Sequence, residues 1–250
     1  MLNGGESPVK TCSTTSSYRT RYEVQILRYT VVRTITFATQ KGGSGKSTLA
    51  ISLAVSAVQD GERVFLLDAD PQGTATNWGV RRSDPEPGGD RVASAPKLES
   101  ALKLLASRGY TLAIIDTPGV ESVTTTAAIR SADLVLVPAR PTPADIEATK
   151  PTIEVIRRLG REYAFVLNQA PTRSFRLSEA AGALNMLGVL ALPFIGQRTD
   201  HQDAVGAGVG VSEYASEGKA SEEIRALWGW VKRRLKGLNH EFAAAEAAAS

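Results

Sequence analysis

The feature that most constrains the fold of this chain is a glycine-rich loop between two apolar segments. Residues 40–48 read Q-K-G-G-S-G-K-S-T, after a β-branched run and before a run rich in Ala, Leu and Ile. Glycine has no Cβ, so this backbone can curl with its N–H groups pointing at a phosphate. A helix that starts near Lys46 would add the positive end of its dipole. The pattern therefore predicts a phosphate-binding turn between a strand and a helix.

Two side chains of this loop are suited to a nucleoside triphosphate with Mg²⁺. Lys46 is placed to pair with the β- and γ-phosphates, and the Ser47 hydroxyl is placed to ligate the metal ion. In the common pattern G-x-x-x-x-G-K-[ST] the first position is glycine, whereas here it is Gln40, followed by a second lysine, Lys41. A lone lysine in a glycine-rich turn is ordinarily a solvated surface residue. The motif around Lys41 favours a role at the nucleotide instead.

The composition is that of a globular domain with a full-sized core. The 250 residues are 42% hydrophobic and 22% charged, and they include one cysteine and two histidines. These cannot form an internal disulfide or an ordinary zinc or iron–sulfur site, so Mg²⁺ is the only metal that we expect. No apolar run approaches the ~18 residues of a membrane span. We expect a cytoplasmic protein with no membrane partner.

The net charge of +3 comes from the N-terminal segment. Residues 1–33 hold five Lys or Arg and two Asp or Glu side chains, which accounts for the whole net charge. We expect residues 1–32 to form a disordered extension, which includes Cys12; an organelle transit peptide is the less favoured alternative. Because the remainder is neutral overall, nucleic-acid binding would need a local basic patch.

Apolar segments alternate with helical patterns over residues 33–238, which predicts one α/β domain, followed by an Ala-rich tail at 239–250. The strands are short and rich in Val, Ile and Leu, so we expect a mainly parallel, twisted sheet flanked by helices on both faces. The predicted strands are 34–39, 63–69, 112–116, 134–138, 163–167 and 189–192. The predicted helices are 47–59, 98–107, 124–131, 144–159 with a break at Pro151, 177–187 and 222–238, and residues 81–90 are predicted to be a loop.

Acidic side chains follow two of the predicted strands. Asp68 and Asp70 stand in D-A-D-P-Q-G, and Asp116 ends the apolar run L-A-I-I-D. Alone, each could be an ordinary cap or turn residue. Because the carboxyl ends of parallel strands meet at one edge of a sheet, we expect all three near the phosphate loop. There one of the first pair can hold Mg²⁺ through water and the other can orient the attacking water, while Asp116 serves as the Walker B aspartate.

These motifs resemble those of the ParA/MinD class of ATPases, which carry a deviant Walker A motif, and most of all the small ParA-type partition ATPases, ParF included. The resemblance rests on K-G-G-S-G-K-S, D-A-D-P-Q-G-T-A-T-N-W, D-L-V-L-V-P and P-T-P-A-D-I, and it extends over about residues 33–236. It implies ATP and Mg²⁺ as ligands, a homodimer formed face to face around two ATP molecules, and slow hydrolysis that a partner stimulates.

The resemblance also assigns roles by position. Lys41 would reach the nucleotide of the dimer partner, Asp70 would orient the attacking water, and with Lys46 these residues form the expected catalytic set. Asn168 falls where the family often contacts adenine, and Arg198 falls in the loop that covers the nucleotide. The expected nucleotide-binding residues are Lys41, Gly42, Gly43, Ser44, Gly45, Lys46, Ser47, Thr48, Asn168 and Arg198, and the expected metal ligands are Ser47, Asp68 and Asp116.

The segment 222–238 is predicted to be an amphipathic helix, with apolar residues at helical spacing and a basic cluster on or near the other face. Two interpretations stay open for this cluster. It is either the solvated face of a docked helix or, as in the family, a site for non-specific binding to DNA phosphates. We expect Trp78 to be a packed aromatic residue and not a base-stacking one. The basic cluster consists of Lys232, Arg233, Arg234 and Lys236.

The resemblance thus implies an ATP-dependent, dimerising switch that binds DNA non-specifically, associates with the nucleoid when ATP-bound, and positions a cargo. The cargo could be a plasmid or chromosome with a ParB-like adaptor, or a protein body such as a carboxysome or a chemoreceptor cluster. A small-molecule ligase or kinase with the same loop is a further alternative. A reductase or metal-cluster carrier of this fold would need interface cysteines, and Cys12 is the only cysteine.

Overall fold

A seven-stranded parallel sheet forms the centre of the molecule. The computed structural model describes residues 32–171 and 175–249, with side chains up to Leu238; the expected extension lies outside these residues except for Val32. The parallel sheet confirms the predicted fold class. The strands are β1 (Arg33–Phe37), β2 (Val64–Asp68), β3 (Gly88–Arg91), β4 (Leu112–Asp116), β5 (Leu134–Ala139), β6 (Tyr163–Leu167) and β7 (Val189–Leu190). Their order in the sheet is β3-β2-β4-β1-β5-β6-β7.

Helices cover both faces of this sheet, because apolar side chains along each strand alternate between two buried layers. For example, Ile114 packs into the layer under α1 (Lys46–Gln59) and α10 (Lys219–Ala249), and Ile115 packs into the layer under α3 (Ala95–Ser107) and α4 (Val123–Ser131). Within the described residues, no helix is long and apolar enough to cross a membrane. The helices are α1 (Lys46–Gln59), α2 (Thr74–Arg81), α3 (Ala95–Ser107), α4 (Val123–Ser131), α5 (Pro143–Glu147), α6 (Lys150–Arg158), α7 (Phe175–Leu187), α8 (Asp200–Gly206), α9 (Val211–Tyr214) and α10 (Lys219–Ala249).

The prediction of a loop over residues 81–90 is wrong at its end, where the chain forms the edge strand β3. This strand reads G-G-D-R, a sequence with low β-propensity, so only its pairing with β2 defines it. Gly88 lies against the ring of Phe65, from which a Cβ at this position would be only 3.1 Å away. The sequence also did not predict the short helices α2, α8 and α9.

The predicted break in the helix 144–159 is confirmed, with a shift of two residues. The helix α5 ends at Glu147, and α6 starts at Lys150, so Pro151 lies in the first turn of the second helix. Proline is tolerated there because the first N–H groups of a helix have no intrahelical partner.

The C-terminal helix α10 is docked on the body of the protein. It runs from Lys219 through the expected Ala-rich tail to Ala249. Its apolar residues, such as Leu227, Trp228 and Val231, are buried in the same layer as α1. The Trp228 Nε1–H donates a hydrogen bond of 2.7 Å to Asp60, which directly follows α1. The apolar face of this helix is therefore docked, and DNA binding by its basic cluster stays a prediction.

Trp78 is a packed aromatic residue, as expected. It is 2% exposed, its Nε1–H donates to the carbonyl oxygen of Val209 at 3.1 Å, and the guanidinium of Arg82 lies 5.0 Å from its ring centroid. The segment that carries Val209 approaches α1 closely, because a Cβ on Gly210 would lie 2.6 Å from Cβ of Val55.

Candidate functional site

The carboxyl ends of four neighbouring strands meet at one edge of the sheet. In the strand register Phe37 pairs with Asp116, Asp116 pairs with Asp68, and Asp68 pairs with Arg91. The glycine-rich loop leaves the sheet directly after β1, so it lies beside the acidic ends of β4 and β2. Together these segments line an open pocket of about 680 Å³. The predicted meeting of the loop with the carboxylates is therefore what the structure shows.

The backbone of the loop is shaped to surround an anion. Gly43 and Gly45 have φ angles of +71° and +90°, which L-residues with side chains rarely adopt. The helix α1 begins at Lys46, and no side chain caps its N-terminus. Its first backbone N–H groups are therefore left for a ligand, and the helix dipole favours a negatively charged one.

Side chains that follow β6 hold this loop in place. The Nδ2–H of Asn168 donates to the carbonyl oxygen of Ser44 at 2.7 Å, and Asn168 is 5% exposed. The Nε2–H of Gln169 donates to the carbonyl oxygen of Gly43 at 3.0 Å. A side chain on Gly45 would collide with the Asn168 amide. In this structure the amide nitrogen of Asn168 thus supports the phosphate loop, and its contact with adenine stays a prediction.

The two lysines of the loop occupy different environments. Lys46 is 6% exposed, and its Nζ donates to the carbonyl oxygen of Lys41 at 3.1 Å. Burial lowers the pKa of Lys46, and the charges of Asp116 and Asp70 oppose this effect. The side chain of Lys41 is partly exposed and makes no hydrogen bond to the residues that the structure describes. Its action on the nucleotide of a dimer partner stays a prediction.

Asp116 is a fully buried carboxylate whose two oxygens lack a hydrogen-bond partner among the described residues. Burial raises the pKa of Asp116 to about 7; the nearby Ser47 hydroxyl opposes this rise, and the charge of Asp68 adds to it. Buried polar groups are nearly always satisfied, so these two oxygens are suited to a bound cation. Carboxylate and hydroxyl oxygens suit Mg²⁺, and Asp116 with Ser47 therefore fits the expected metal site.

Asp68 and Asp70 play different structural parts. Asp68 is 1% exposed, and its oxygens accept hydrogen bonds from the Asp70 N–H at 3.0 Å and from the N–H and hydroxyl of Thr76 at 2.7 and 2.8 Å. It thereby fixes the turn that leads into α2. Asp70 is partly buried, lines the pocket, and accepts from the Gln72 N–H at 2.9 Å. Metal binding by Asp68 through water and water orientation by Asp70 stay predictions.

Several expected functional residues lie away from this pocket. Arg198 forms an ion pair of 2.6 Å with Glu223 of α10 and does not line the pocket. Its contact with the nucleotide stays a prediction. The basic cluster of α10 divides into two pairs: Lys232 and Arg234 form ion pairs with Asp60 and Glu162, whereas Arg233 and Lys236 are exposed.

Two residues of the site were not predicted from the sequence. Arg91 lines the pocket at the end of β3, a strand with no sequence signal of its own. Gln169 adopts a φ of +51°, which lets its side chain reach back to the loop. No sequence pattern could have identified either residue, because both roles depend on contacts between distant segments.

A phosphate loop after the central strand of a parallel sheet, with a buried lysine and an unpaired aspartate beside it, is the arrangement of P-loop nucleotide-binding domains. Residues 35–211 match the family model described as the CobQ/CobB/MinD/ParA nucleotide binding domain. The chain belongs to this family, whose members include ParA/Soj partition ATPases, MinD and McdA-like proteins. The predicted ParA/MinD membership is confirmed.

Relatives with different tasks share this family. The chain is 31% identical over 210 residues to the Maintenance of carboxysome distribution protein A of Gloeobacter kilaueensis, which covers 81% of this chain and 94% of that protein. It is 35% identical over 137 residues to the chromosome-partitioning ATPase Soj of Thermus thermophilus, which covers 44% of this chain and 55% of that protein.

Solved structures show the same fold. The cell division ATPase MinD of Pyrococcus furiosus superimposes with a TM-score of 0.68 at 21% identity, covering 80% of this chain and 98% of that one. An ATP complex of a McdA variant from Cyanothece superimposes with a TM-score of 0.66 at 19% identity, covering 80% of this chain and 97% of that one.

Proposed function

We propose that this protein is a Mg²⁺-dependent ATPase that dimerises around ATP, binds DNA non-specifically in that state, and positions a cargo through an adaptor protein. The observation that carries the proposal is a pocket lined by Lys46 and an uncapped helix N-terminus, with the buried carboxylate of Asp116 next to Lys46 and Ser47. These groups complement a triphosphate and its divalent cation. The protein works in the cytoplasm and associates with the nucleoid when ATP is bound.

The phosphates of the nucleotide and water molecules would complete the coordination of Mg²⁺ at this site. Within the described residues there is no group of three or more His, Cys, Asp or Glu side chains that could hold a metal ion alone. Mg²⁺ is typically held by one or two protein groups together with phosphates and waters, and Ser47 and Asp116 supply such a partial set. When bound, Mg²⁺ would neutralise charge on the β- and γ-phosphates.

The protein's own residues divide the work of hydrolysis. Lys46 holds the β- and γ-phosphates, and the loop backbone donates hydrogen bonds to them. Asp70 keeps one carboxylate oxygen on the Gln72 N–H and uses the other to orient the attacking water. Lys41, whose side chain is not engaged within the described part of the chain, reaches the nucleotide of the partner subunit.

Mixing two inactive variants tests this arrangement. Lys41→Ala and Asp70→Ala should each hydrolyse ATP poorly as pure proteins. In a mixed dimer, however, the Asp70→Ala subunit still offers its Lys41 to the intact Asp70 site of its partner. Random pairing makes half of the dimers mixed, and each mixed dimer has one complete site out of two. An equal mixture should therefore recover about a quarter of wild-type activity. No recovery, after subunit exchange has been verified by co-purification of an untagged variant with a tagged one, would mean that Lys41 does not act in trans.

The basic cluster contains one exposed pair and one ion-paired pair, and comparing the two pairs tests DNA binding. Arg233→Ala with Lys236→Ala removes two exposed charges, so ATP-dependent affinity for random-sequence duplex should fall and the salt slope should flatten by about 2. The matched control, Lys232→Ala with Arg234→Ala, removes the same charge from residues that hold α10 in ion pairs. It should mainly lower thermal stability. If the exposed pair leaves affinity and slope unchanged, the DNA surface lies elsewhere.

Two kinds of cargo have comparable support. Plasmid or chromosome partition is supported by the similarity to Soj, and positioning of a protein body is supported by the similarity to McdA, which spans more of this chain. Deleting the gene distinguishes them: partition predicts loss of the plasmid or anucleate cells, whereas positioning predicts clustered protein bodies with normal DNA content.

The alternative of a small-molecule ligase or kinase predicts a different dependence of hydrolysis. Such an enzyme would use ATP rapidly only when its substrate is added, and would not need DNA or an adaptor. Steady-state ATP hydrolysis with duplex DNA and a candidate adaptor, and separately with small-molecule substrates, distinguishes the two mechanisms.

A further inference from the structure

The edge strand β3 brings an arginine to the wall of the nucleotide pocket. Arg91 ends this strand and pairs in register with Asp68 at the end of β2. Arg91 is exposed and lines the pocket together with Asp70. Lys46 and Arg91 are the two basic residues in the pocket lining within the described part of the chain.

The guanidinium of Arg91 makes a specific contact with the turn that carries Asp70. Its Nη2–H donates a hydrogen bond of 2.8 Å to the carbonyl oxygen of Pro71, 20 residues earlier in the chain. An arginine donor is charged, which makes such a bond stronger than one between neutral groups. The contact therefore ties the turn after β2 to the neighbouring strand.

Within the described residues, the other hydrogen bonds of the turn come from beneath it and from within it, including a bond of 2.9 Å from the Gln72 N–H to the Asp70 carboxylate. Beneath it, Asp68 accepts from the Asp70 N–H, and within it the Gly73 N–H donates to the Asp70 carbonyl at 2.9 Å. Pro71 and Gln72 are exposed. Arg91 supplies the hydrogen bond that holds the outer side of the turn, directly next to the peptide of Asp70.

We propose that Arg91 is a positioning residue for ATP hydrolysis: by holding the Pro71 carbonyl, it fixes the direction in which the Asp70 carboxylate enters the pocket. Small displacements of a group that orients water reduce turnover more than nucleotide binding. The inference rests on the proposed ATPase function, because it assigns Arg91 to the same reaction.

The kinetic test uses Arg91→Met, Arg91→Lys and a control, Arg108→Met, which removes an exposed arginine outside the pocket. Arg91→Met should lower kcat about 5- to 10-fold, the effect expected for loss of one solvent-exposed hydrogen bond. Affinity for a fluorescent ATP analogue should stay within about twofold of wild type. Arg91→Lys should restore part of kcat, since an ammonium can still donate to a carbonyl, and Arg108→Met should match wild type.

Three results would overturn the proposal. The first is an unchanged kcat in Arg91→Met. The second is a loss of analogue affinity in Arg91→Met with unchanged kcat, which would make Arg91 a phosphate ligand. The third is a decrease of kcat in Arg108→Met as large as that in Arg91→Met. A structural readout keeps the inference testable even if wild-type protein does not hydrolyse ATP, a result that would count against the proposed function alone. Hydrogen exchange of the Gln72 and Gly73 amides should be faster in Arg91→Met than in wild type and Arg108→Met, and equal exchange in all three would reject the contact.

Discussion

A buried carboxylate without a hydrogen-bond partner is destabilising when it is charged, so Asp116→Asn should stabilise the nucleotide-free protein at alkaline pH. The pKa of Asp116 is raised from 3.8 to about 7 by burial. At 1.36 kcal/mol per pKa unit, this shift corresponds to about 4 kcal/mol of the free energy of unfolding. That value is an upper limit, because the substitution also removes the carboxylate that offsets the buried charge of Lys46.

The sign of the pH dependence follows from the raised pKa. Between about pH 4 and pH 7 the folded protein binds more protons at Asp116 than the unfolded chain does. This contribution to stability is fully present below the unfolded pKa and is lost as the pH rises through about 7. The stability advantage of Asp116→Asn should therefore be small near pH 4 and reach its full value above pH 7.

Urea unfolding from pH 4.5 to pH 8.5, with EDTA and without nucleotide, measures this difference. Asp133→Asn is the control, since burial also raises the pKa of Asp133 but its carboxylate accepts a hydrogen bond of 2.7 Å from the Thr34 N–H. It should stabilise the protein less at alkaline pH than Asp116→Asn does, because this hydrogen bond opposes the rise in pKa. Parallel stability curves for wild type and Asp116→Asn across this range would refute the assignment of Asp116 as an uncompensated charge. The same variant should lose Mg²⁺-dependent ATP hydrolysis, so stability and activity change in opposite directions.

Two further predictions concern the phosphate loop. Lys46→Ala should abolish binding of a fluorescent ATP analogue and leave the circular dichroism spectrum unchanged, because it removes the positive charge that pairs with the β- and γ-phosphates. Unchanged affinity would refute the placement of the phosphate site. Asn168→Ala should destabilise the protein by about 1–3 kcal/mol in urea, because the buried carbonyl of Ser44 loses its donor, and a neutral result would show that Asn168 is not needed to hold the loop.

The sequence predicts those parts of the site in which the functional residues and the pattern that defines their secondary structure lie in the same short segment. The glycine loop contains its own strand-to-helix signal, and Asp116 ends an apolar strand, so both could be placed on the sheet edge. The strand β3 could not, because G-G-D-R has no apolar alternation, and its pairing with β2 alone makes it a strand. Arg91 was missed for the same reason.

The features that the sequence did not predict depend on contacts between residues far apart in the chain. The hydrogen bond between Asn168 and Ser44 joins residues 124 positions apart, and the ion pair between Lys232 and Asp60 joins residues 172 positions apart. A sequence pattern shows that a lysine is on the polar face of a helix, but not that an aspartate lies opposite. This is why the basic cluster of α10 appeared uniform in the sequence and is divided in the structure.

The helix α1 runs from the phosphate loop to the contact with the C-terminal helix α10. It has 14 residues, which gives it a length of about 21 Å. At one end its backbone forms the phosphate cradle, and just beyond the other end Asp60 binds both Trp228 and Lys232 of α10. A tilt of about 5° around the phosphate end would move Asp60 by about 2 Å over such a length. Any change in the direction of α1 at the phosphate loop would therefore shift its contact with the C-terminal helix.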